Sequence, residues 1–168
     1  MKVVFLAFVL ASLCVDAQSN FDVKIREAVK HITCSQPDEQ DPVTLNAQLV
    51  SHGDSFAIIV KALLAPGWHI YAYVPSTLPY IAIDQIIQLP QNIKSVGDWK
   101  NTEPEASSDD PGVLIYENEA LFIHKAVKLS PGKTGELIKA GLYYQTCNLR
   151  QCLPPKEKTF ELSVDLLP

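Results

Sequence analysis

Polar and apolar residues alternate over short stretches of this chain, and turn-forming residues separate those stretches. Residues 44–50 read Thr-Leu-Asn-Ala-Gln-Leu-Val, which places every second apolar side chain on one side, and a second apolar run covers residues 55–65. The residues between them, 51–54, read Ser-His-Gly-Asp, a composition that favours a tight turn. The pattern therefore predicts a β-hairpin.

Further short runs of β-branched and aromatic residues follow the predicted hairpin, with proline, glycine or asparagine in the breaks between them. These strand candidates are residues 68–73, 81–89, 113–116, 121–129, 137–147 and 159–166. Many short strands with frequent turn signals and no long helical periodicity predict an all-β domain, an antiparallel β-sandwich.

Two stretches do not follow this strand-and-turn pattern. Residues 20–33 fit a short amphipathic helix and a strand followed by a loop equally well, and the pattern does not decide between the two. Residues 99–112 are rich in acidic, small and proline residues and contain little to bury. They predict an exposed loop, either a lid over a site or an insertion, and the composition alone favours an insertion.

The N-terminus has the pattern of a secretory signal peptide. Met1-Lys2 precedes an apolar run over residues 3–15, and Val15-Asp16-Ala17 has the small residues of a cleavage site after Ala17. The run is shorter than the roughly 20 residues that span a bilayer. The alternatives are a buried N-terminal strand or helix, or lipidation at Cys14, which the bulky Leu13 disfavours. We expect a periplasmic or secreted protein without a transmembrane segment in its mature chain.

The expected organisation is a signal peptide over residues 1–17, an N-terminal segment and polar linker over 18–41, and a β-sandwich domain over 42–168. A length of 168 residues suits one such domain. Fourteen Lys and Arg residues stand against 19 Asp and Glu residues, which gives a net charge of −5 and no basic stripe. Nucleic acid is therefore not an expected partner.

The sequence carries no recognisable constellation for a metal, a cofactor or a serine nucleophile. A Gly-x-Ser-x-Gly motif is absent from the sequence. The four histidines lack short metal-ligand spacing among themselves and with the cysteines, and each is interpreted as a surface or packed residue. They are His31, His52, His69 and His124. We expect neither a cofactor nor a metal.

Removal of the signal peptide leaves three cysteines, of which Cys147 and Cys152 are five positions apart. We expect these two to pair, and Cys34, remote in sequence, to remain an unpaired thiol without a role. A ring this small stabilises a fold by only about 2 kcal/mol, against nearly 5 kcal/mol for a loop of ~100 residues. Arg150 lies inside the ring, and a positive charge next to a cysteine favours its ionised form, the thiolate. From the spacing, a structural bridge and a redox-active pair both remain open.

The segment from Tyr144 to Thr159 reads Tyr-Gln-x-Cys, four residues, then Cys-x-Pro-Pro-x-x-Lys-Thr. This motif resembles the N-terminal periplasmic domain of the thiol:disulfide interchange protein DsbD. Gly67-Trp68-His69-Ile70-Tyr71 resembles a Gly-aromatic-x-aliphatic-Tyr strand of that family, and Ile115-Tyr116 resembles its Ile-Tyr pair. The resemblance covers about residues 42–166 and implies an immunoglobulin-like β-sandwich.

The resemblance also implies an activity, that of a protein-disulfide reductase or thiol-disulfide exchange protein. Such a domain transfers reducing equivalents from a thioredoxin-like donor at the inner membrane to exported oxidoreductases. Cys152 would form the mixed disulfide with the partner, and Cys147 would resolve it. Tyr71 and Tyr144 would flank the pair as packing and hydrogen-bonding residues, although each could equally be an ordinary sheet aromatic.

The sequence departs from the family in three respects. It contains no counterpart of the family's transmembrane and thioredoxin-like domains, so we expect a separate electron donor, and the direction of transfer stays open. The expected shielding loop, residues 101–111, has no aromatic residue, and Trp99 is the nearest substitute. The loop between the cysteines is one residue shorter than in the best-known members. The alternative function is a non-enzymatic, immunoglobulin-like binding or adaptor domain with a structural disulfide.

Two expectations concern the geometry of the cysteine pair. Cys147 ends an apolar strand candidate, so its side chain should pack against the sandwich. Cys152 follows a polar loop and precedes Pro154-Pro155, which cannot continue a sheet ladder, so it should be the more exposed sulfur. By analogy with the shielding loop of the family, the loop over residues 101–111 should cover the pair.

Overall fold

A computed structural model describes residues 20–129 and 136–164. The predicted signal peptide, with Cys14 and the cleavage site after Ala17, lies outside these residues. The described chain contains one helix, α1, over residues 20–31, followed by eleven strands. The strands are β1 (Val43–His52), β2 (Ser55–Leu64), β3 (His69–Tyr73), β4 (Asp84–Gln88), β5 (Ile93–Asn101), β6 (Glu105–Ala106), β7 (Leu114–Glu117), β8 (Glu119–Lys128), β9 (Leu137–Tyr144), β10 (Thr146–Cys147) and β11 (Lys156–Ser163).

The strands form three sheets, with the orders β1-β2-β8-β5, β11-β9-β4 and β10-β3-β7-β6. The strands of the described chain pair in antiparallel fashion, and an isolated parallel bridge joins Tyr71 to Ala82. The first two sheets pack face to face around one apolar core, to which β2, β8 and β9 contribute most of the buried side chains. The architecture is an immunoglobulin-like antiparallel β-sandwich, as the sequence predicts.

The β1–β2 hairpin is confirmed, with an unbroken register from Val43 opposite Leu64 to His52 opposite Ser55. Gly53 opens the turn with a φ of 58°, a conformation that costs glycine little. β2 is buried on both faces, which explains why residues 55–65 read as a continuous apolar run. One face meets the sandwich core, and the other is covered by α1.

The stretch that the pattern left undecided, residues 20–33, is helical over residues 20–31. Phe21 and Ile25 on α1, and Ile32 directly after it, pack against Ala57 and Ile59 on the outer face of β2. Phe21 and Ile25 are four residues apart, which places them on one side of the helix. The alternative of a strand followed by a loop is therefore wrong.

Residues 99–112 are exposed or half-buried, as predicted, but the prediction of a loop is wrong in its first half. β5 continues to Asn101, and β6 pairs with β7, so that residues 102–104 and 107–112 are the parts of this stretch that lie outside strands. β5 is an edge strand with a register irregularity between Val96 and Lys100, and Gly97 there has a φ of 70°. Five consecutive exposed residues and the bulge hide the alternation that normally reveals a strand.

The strand predicted over residues 137–147 is broken at Gln145 and changes sheet. β9 belongs to the three-stranded sheet, whereas β10 pairs with β3 in the third sheet. At the break, the Gln145 side chain accepts a hydrogen bond from Ile81 N–H at 3.0 Å and donates to the Leu153 carbonyl at 3.5 Å. This change of sheet places Cys147 at the rim of the sandwich rather than in its core.

Candidate functional site: the Cys147–Cys152 cleft

Cys147 and Cys152 form a disulfide, as expected, and their Cα atoms lie 4.0 Å apart. Cys34 is unpaired and partly buried, and its Sγ lies 3.4 Å from the Lys61 carbonyl oxygen. Burial raises the pKa of the Cys34 thiol, with a smaller opposing effect of Lys61. A partly buried thiol with a raised pKa is a poor nucleophile at neutral pH.

The four-residue loop inside the disulfide ring is ordered by its own hydrogen bonds. Asn148 Oδ1 accepts from the backbone N–H groups of Arg150 and Gln151, each at 2.9 Å, and Asn148 N–H donates to the Gln151 carbonyl at 2.9 Å. An asparagine side chain that holds the backbone two and three residues ahead is a common turn device. None of these bonds involves a sulfur atom.

Two further bonds anchor this loop to the sheet that carries it. Thr146 Oγ1 donates to the His69 carbonyl at 2.9 Å, and Leu153 N–H donates to the Thr146 carbonyl at 2.9 Å. Thr146 is itself buried. Cys147 therefore lies on a strand that is anchored by a side-chain hydrogen bond. Cys152 follows the turn, and the residue after it is hydrogen-bonded back to that strand.

The two sulfur-bearing residues differ sharply in exposure. Cys147 is only 1% exposed and packs in a small cluster with Tyr71, Val113 and Ile115, whereas Cys152 is exposed. Both halves of the expected asymmetry are confirmed. An approaching thiolate can therefore reach Cys152 and not Cys147.

The disulfide lies in a cleft of about 370 Å³ between β3, β10 and the loop that follows β6. The loop contributes Ser107, Asp109 and Asp110 to one wall of the cleft, so the predicted covering loop does reach the pair. Ser107 Oγ accepts from the backbone N–H groups of both aspartates, at 3.3 and 3.2 Å, which keeps this wall in a defined turn. The other lining residues are His69, Tyr71, Tyr80, Cys147, Asn148, Leu149 and Cys152.

Tyr71 is the side chain that meets the exposed cysteine. Its hydroxyl oxygen lies 3.9 Å from Cys152 Sγ, and its ring stacks on Tyr80 with 4.8 Å between centroids and 8° between planes. Burial, followed by Tyr80 and Asp110, raises the pKa of Tyr71 to about 12. The phenol therefore stays protonated at neutral pH, and since a disulfide sulfur carries no hydrogen, the phenol is the donor.

The structure does not bring Tyr144 to the cleft. Its ring is fully buried in the main core, its hydroxyl donates to the Val43 carbonyl at 3.4 Å, and Lys156 Nζ lies 5.8 Å from its centroid. This is the packing of an ordinary sheet aromatic, the alternative that the sequence left open. Arg150 lies in the disulfide loop as an exposed residue.

Sequence reasoning did not identify His69 as a site residue, although its position contained a signal. His69 and Tyr71 are two residues apart on one strand, so they share a face, and their rings meet edge to face at 5.0 Å. Burial lowers the pKa of His69, and Glu117, Asp110 and Asp109 oppose that effect. Tyr80 and the two aspartates come from irregular segments, where no periodicity could have placed them.

Within the described part of the chain, no three His, Cys, Asp or Glu side chains come together as a metal site would require. Among residues 20–129 and 136–164, no helix combines the length and the apolar character that crossing a bilayer demands.

The sequence model of a family described as "Thiol:disulfide interchange protein DsbD, N-terminal" matches residues 36–164. No curated protein sequence matches the chain at a significant level. Among solved structures, the reduced DsbD N-terminal domain of Neisseria meningitidis is 20% identical, with a TM-score of 0.45, and the alignment covers 71% of this chain and 84% of that one.

Two other solved structures have similar scores. The complex between the DsbD and PilB N-terminal domains of Neisseria meningitidis matches at 18% identity and a TM-score of 0.44, over 75% of this chain and 85% of that one. The GAE domain of yeast GGA1 matches at 10% identity and a TM-score of 0.43, over 79% of this chain and 100% of that one.

Proposed function

The chain belongs to the DsbD N-terminal family of thiol:disulfide interchange proteins, and we propose that it performs this exchange through Cys147 and Cys152. The observation that carries the proposal is the pairing of an exposed cysteine with a buried one inside an open cleft. Exchange requires one sulfur that a partner can attack in line and a second that is held behind it. The described geometry meets both requirements.

In the first step, a partner thiolate attacks Cys152 Sγ along the axis of the disulfide. A bond forms between the partner sulfur and Cys152, the Cys147–Cys152 bond breaks, and Cys147 leaves as a thiolate. The second partner thiol then attacks the partner's own sulfur and releases Cys152. Two electrons have passed to this protein, and the partner leaves with its disulfide formed.

In the reverse role, the reduced protein passes the same two electrons onward. Cys152 thiolate attacks an acceptor disulfide, and Cys147 thiolate then attacks Cys152 Sγ, which restores the internal disulfide and releases the acceptor as a dithiol. The Tyr71 hydroxyl, 3.9 Å from Cys152 Sγ, is placed to donate a hydrogen bond to the thiolate. Arg150 in the adjoining loop adds a positive charge that favours the same ionised form.

The compartment and partners that we propose follow from the N-terminal pattern and the family. An exported, periplasmic or secreted location allows the disulfide to persist. The partners are thioredoxin-like redox proteins, one as electron donor and one as acceptor. The exposed Cys152 and the neighbouring Leu149, which is 85% exposed, form the part of the cleft that such a partner would meet.

The adaptor alternative, in which the disulfide only braces its loop, finds less support. The Asn148 turn and the Leu153–Thr146 hydrogen bond already fix the loop without the sulfur bridge. A disulfide that closes so short a ring contributes about 2 kcal/mol to the free energy of unfolding. This adds little to a loop that is already held by hydrogen bonds.

The test is a trapping experiment with single cysteine variants of the mature chain. Cys147→Ala leaves the exposed Cys152 thiol without its resolving partner, so it should accumulate a mixed disulfide with a thioredoxin-like protein. Cys152→Ala leaves only the buried thiol of the pair and should not. Non-reducing electrophoresis measures both, with Cys34→Ala as the matched control that should behave as the wild type.

If neither variant traps a partner, the exchange function is wrong and the adaptor alternative takes its place. The reduction potential provides an independent check. A value below about −300 mV is typical of structural disulfides that resist reduction, and such a value here would also contradict the proposal.

A further inference from the structure

The resolving cysteine presents a chemical difficulty for the function proposed above. Cys147 must become a thiolate to attack Cys152, yet its residue is only 1% exposed and lies among Tyr71, Val113 and Ile115. Burial in such surroundings favours the neutral thiol. A thiol of this kind reacts slowly near neutral pH unless a nearby base takes its proton.

His69 is the basic side chain that the fold places opposite this cysteine. In the antiparallel pairing of β10 with β3, Cys147 is the direct partner of His69. Directly opposed residues point to the same side of a sheet, with Cβ atoms roughly 5 Å apart. Both residues also line the same cleft.

On this geometry, and given the proposed exchange function, we propose that His69 takes up the Cys147 proton when Cys147 resolves a mixed disulfide, and returns it in the reverse step. The neutral imidazole accepts the thiol proton and becomes imidazolium. The resulting Cys147 thiolate attacks Cys152 Sγ, the partner sulfur leaves with the electron pair of the broken bond, and the imidazolium loses its proton to solvent through the cleft.

The groups around His69 suit both protonation states. Its own strand contributes Tyr71, and its neighbour across β7 is Glu117, which is its direct partner in the register. Asp109 and Asp110 face it from the covering loop, and Tyr80 completes the aromatic side of the cleft. The three carboxylates favour the imidazolium, whereas burial, the larger effect, lowers the pKa of His69. The imidazole is therefore largely neutral at pH 7 and ready to act as a base.

The test uses the two-step reaction of the reduced mature chain with one equivalent of 5,5′-dithiobis(2-nitrobenzoate), in a Cys34→Ala background. Attack by Cys152 releases one thionitrobenzoate, and attack by Cys147 on the mixed disulfide then releases the second. Stopped-flow absorbance separates the two releases. The second release therefore reports Cys147 alone.

We expect His69→Gln to slow the second release at pH 7 by on the order of 10²-fold, the usual size of such proton transfer, and to leave the first within about twofold. The difference should disappear at alkaline pH, where Cys147 ionises without help. Added imidazole should partly restore the second release in the variant. A purely structural role would not produce this pH dependence or this rescue.

His69→Phe, which retains a ring against Tyr71, should give the same result and guards against misfolding of the first variant. His31→Gln, an exposed histidine on α1, is the matched control and should leave both releases unchanged. Equal second-release rates in the wild type and both His69 variants at every pH would contradict the role of His69 and leave the proposed exchange function standing. A wild type that never gives a second release would overturn the proposed exchange function as well.

Discussion

The main sandwich, formed by the sheets β1-β2-β8-β5 and β11-β9-β4, differs in kind from the cleft sheet, β10-β3-β7-β6. In the sandwich, β1, β2 and β8 have ten residues each and pair in continuous register. In the cleft sheet, strands have two to five residues, and the register shifts between Tyr71 and Tyr73. Long regular strands in one region thus support short irregular ones in the other.

The buried side chains differ as well. Most buried side chains of the sandwich are aliphatic or aromatic, with Thr44 and His124 as buried polar residues, whereas the cleft sheet buries or half-buries Tyr71, His69 and Cys147 around one disulfide. Apolar burial supplies most of the stability of a domain, and polar groups held in a cleft supply its chemistry. The comparison predicts that changes in the sandwich unfold the protein, while changes in the cleft sheet alter exchange with little loss of stability.

The largest expected effect is that of Gly141→Ala in β9. A Cβ at this position would lie 2.7 Å from Thr159 Cα and closer still to the Lys158 carbonyl oxygen, both in the backbone of the neighbouring β11. A backbone cannot yield as a flexible side chain can, so we expect a loss of about 3 kcal/mol in the free energy of unfolding, the upper range for overpacked sites. Urea unfolding measures the loss.

Leu149→Ala, at the exposed tip of the disulfide loop, is the matched change in the cleft region. Because the side chain is 85% exposed, its removal should change the free energy of unfolding by less than about 0.5 kcal/mol. If the two variants were equally stable, the division between a stabilising sandwich and a functional cleft sheet would be wrong.

The same division explains how far the sequence alone could lead. The alternation of polar and apolar residues predicted β1, and the continuous apolar run predicted β2. Long strands that bury one or both faces produce such patterns in the sequence. β5 was missed since its edge position leaves five consecutive residues exposed. Residues 20–33 stayed undecided until α1 was seen to cover the outer face of β2.

At the site, the sequence predicted the cysteine pair, but it did not show which tyrosine lies beside that pair. The cysteine spacing predicted the pair, the apolar strand and the flanking prolines predicted its asymmetry of exposure, and the family resemblance implied a loop over residues 101–111 beside it. Tyr71 and Tyr144 looked alike in the motif, yet they lie in different sheets, and only Tyr71 reaches the sulfur. The change of sheet at Gln145 separates them, and it depends on side-chain hydrogen bonds that sequence periodicity does not contain.

A smaller effect is expected from reduction of the disulfide. In the chain-entropy model, opening a six-residue ring lowers the free energy of unfolding by about 2 kcal/mol, and the Asn148 turn should keep the loop in place afterwards. Urea unfolding with and without a reductant measures the loss, and the double variant Cys147→Ala/Cys152→Ala should match the reduced wild type. A loss of about 4 kcal/mol or more, twice the value from chain entropy, would show that the cleft sheet also supports the sandwich.

The smallest effect concerns Asp41, which precedes β1 and joins it to β11. Its carboxylate accepts from Lys156 Nζ at 2.6 Å and from Lys158 Nζ at 2.7 Å, and Lys158 also donates to the Val43 carbonyl at 2.8 Å. Burial raises the pKa of Asp41, but the two lysine hydrogen bonds outweigh that effect and lower the pKa below its ordinary value of 3.8.

Because the lowered pKa belongs to the folded state, the ionised carboxylate stabilises the fold above pH 3.8, and this contribution is lost as the pH falls through the lower folded pKa. The side chain is 47% exposed, so solvent screening limits the effect to less than about 1 kcal/mol. Asp41→Asn should be less stable than the wild type at pH 7, and urea unfolding should show this difference shrinking toward pH 2. A difference that stays constant with pH would mean that Asp41 acts through packing, and that the join between β1 and β11 does not depend on its charge.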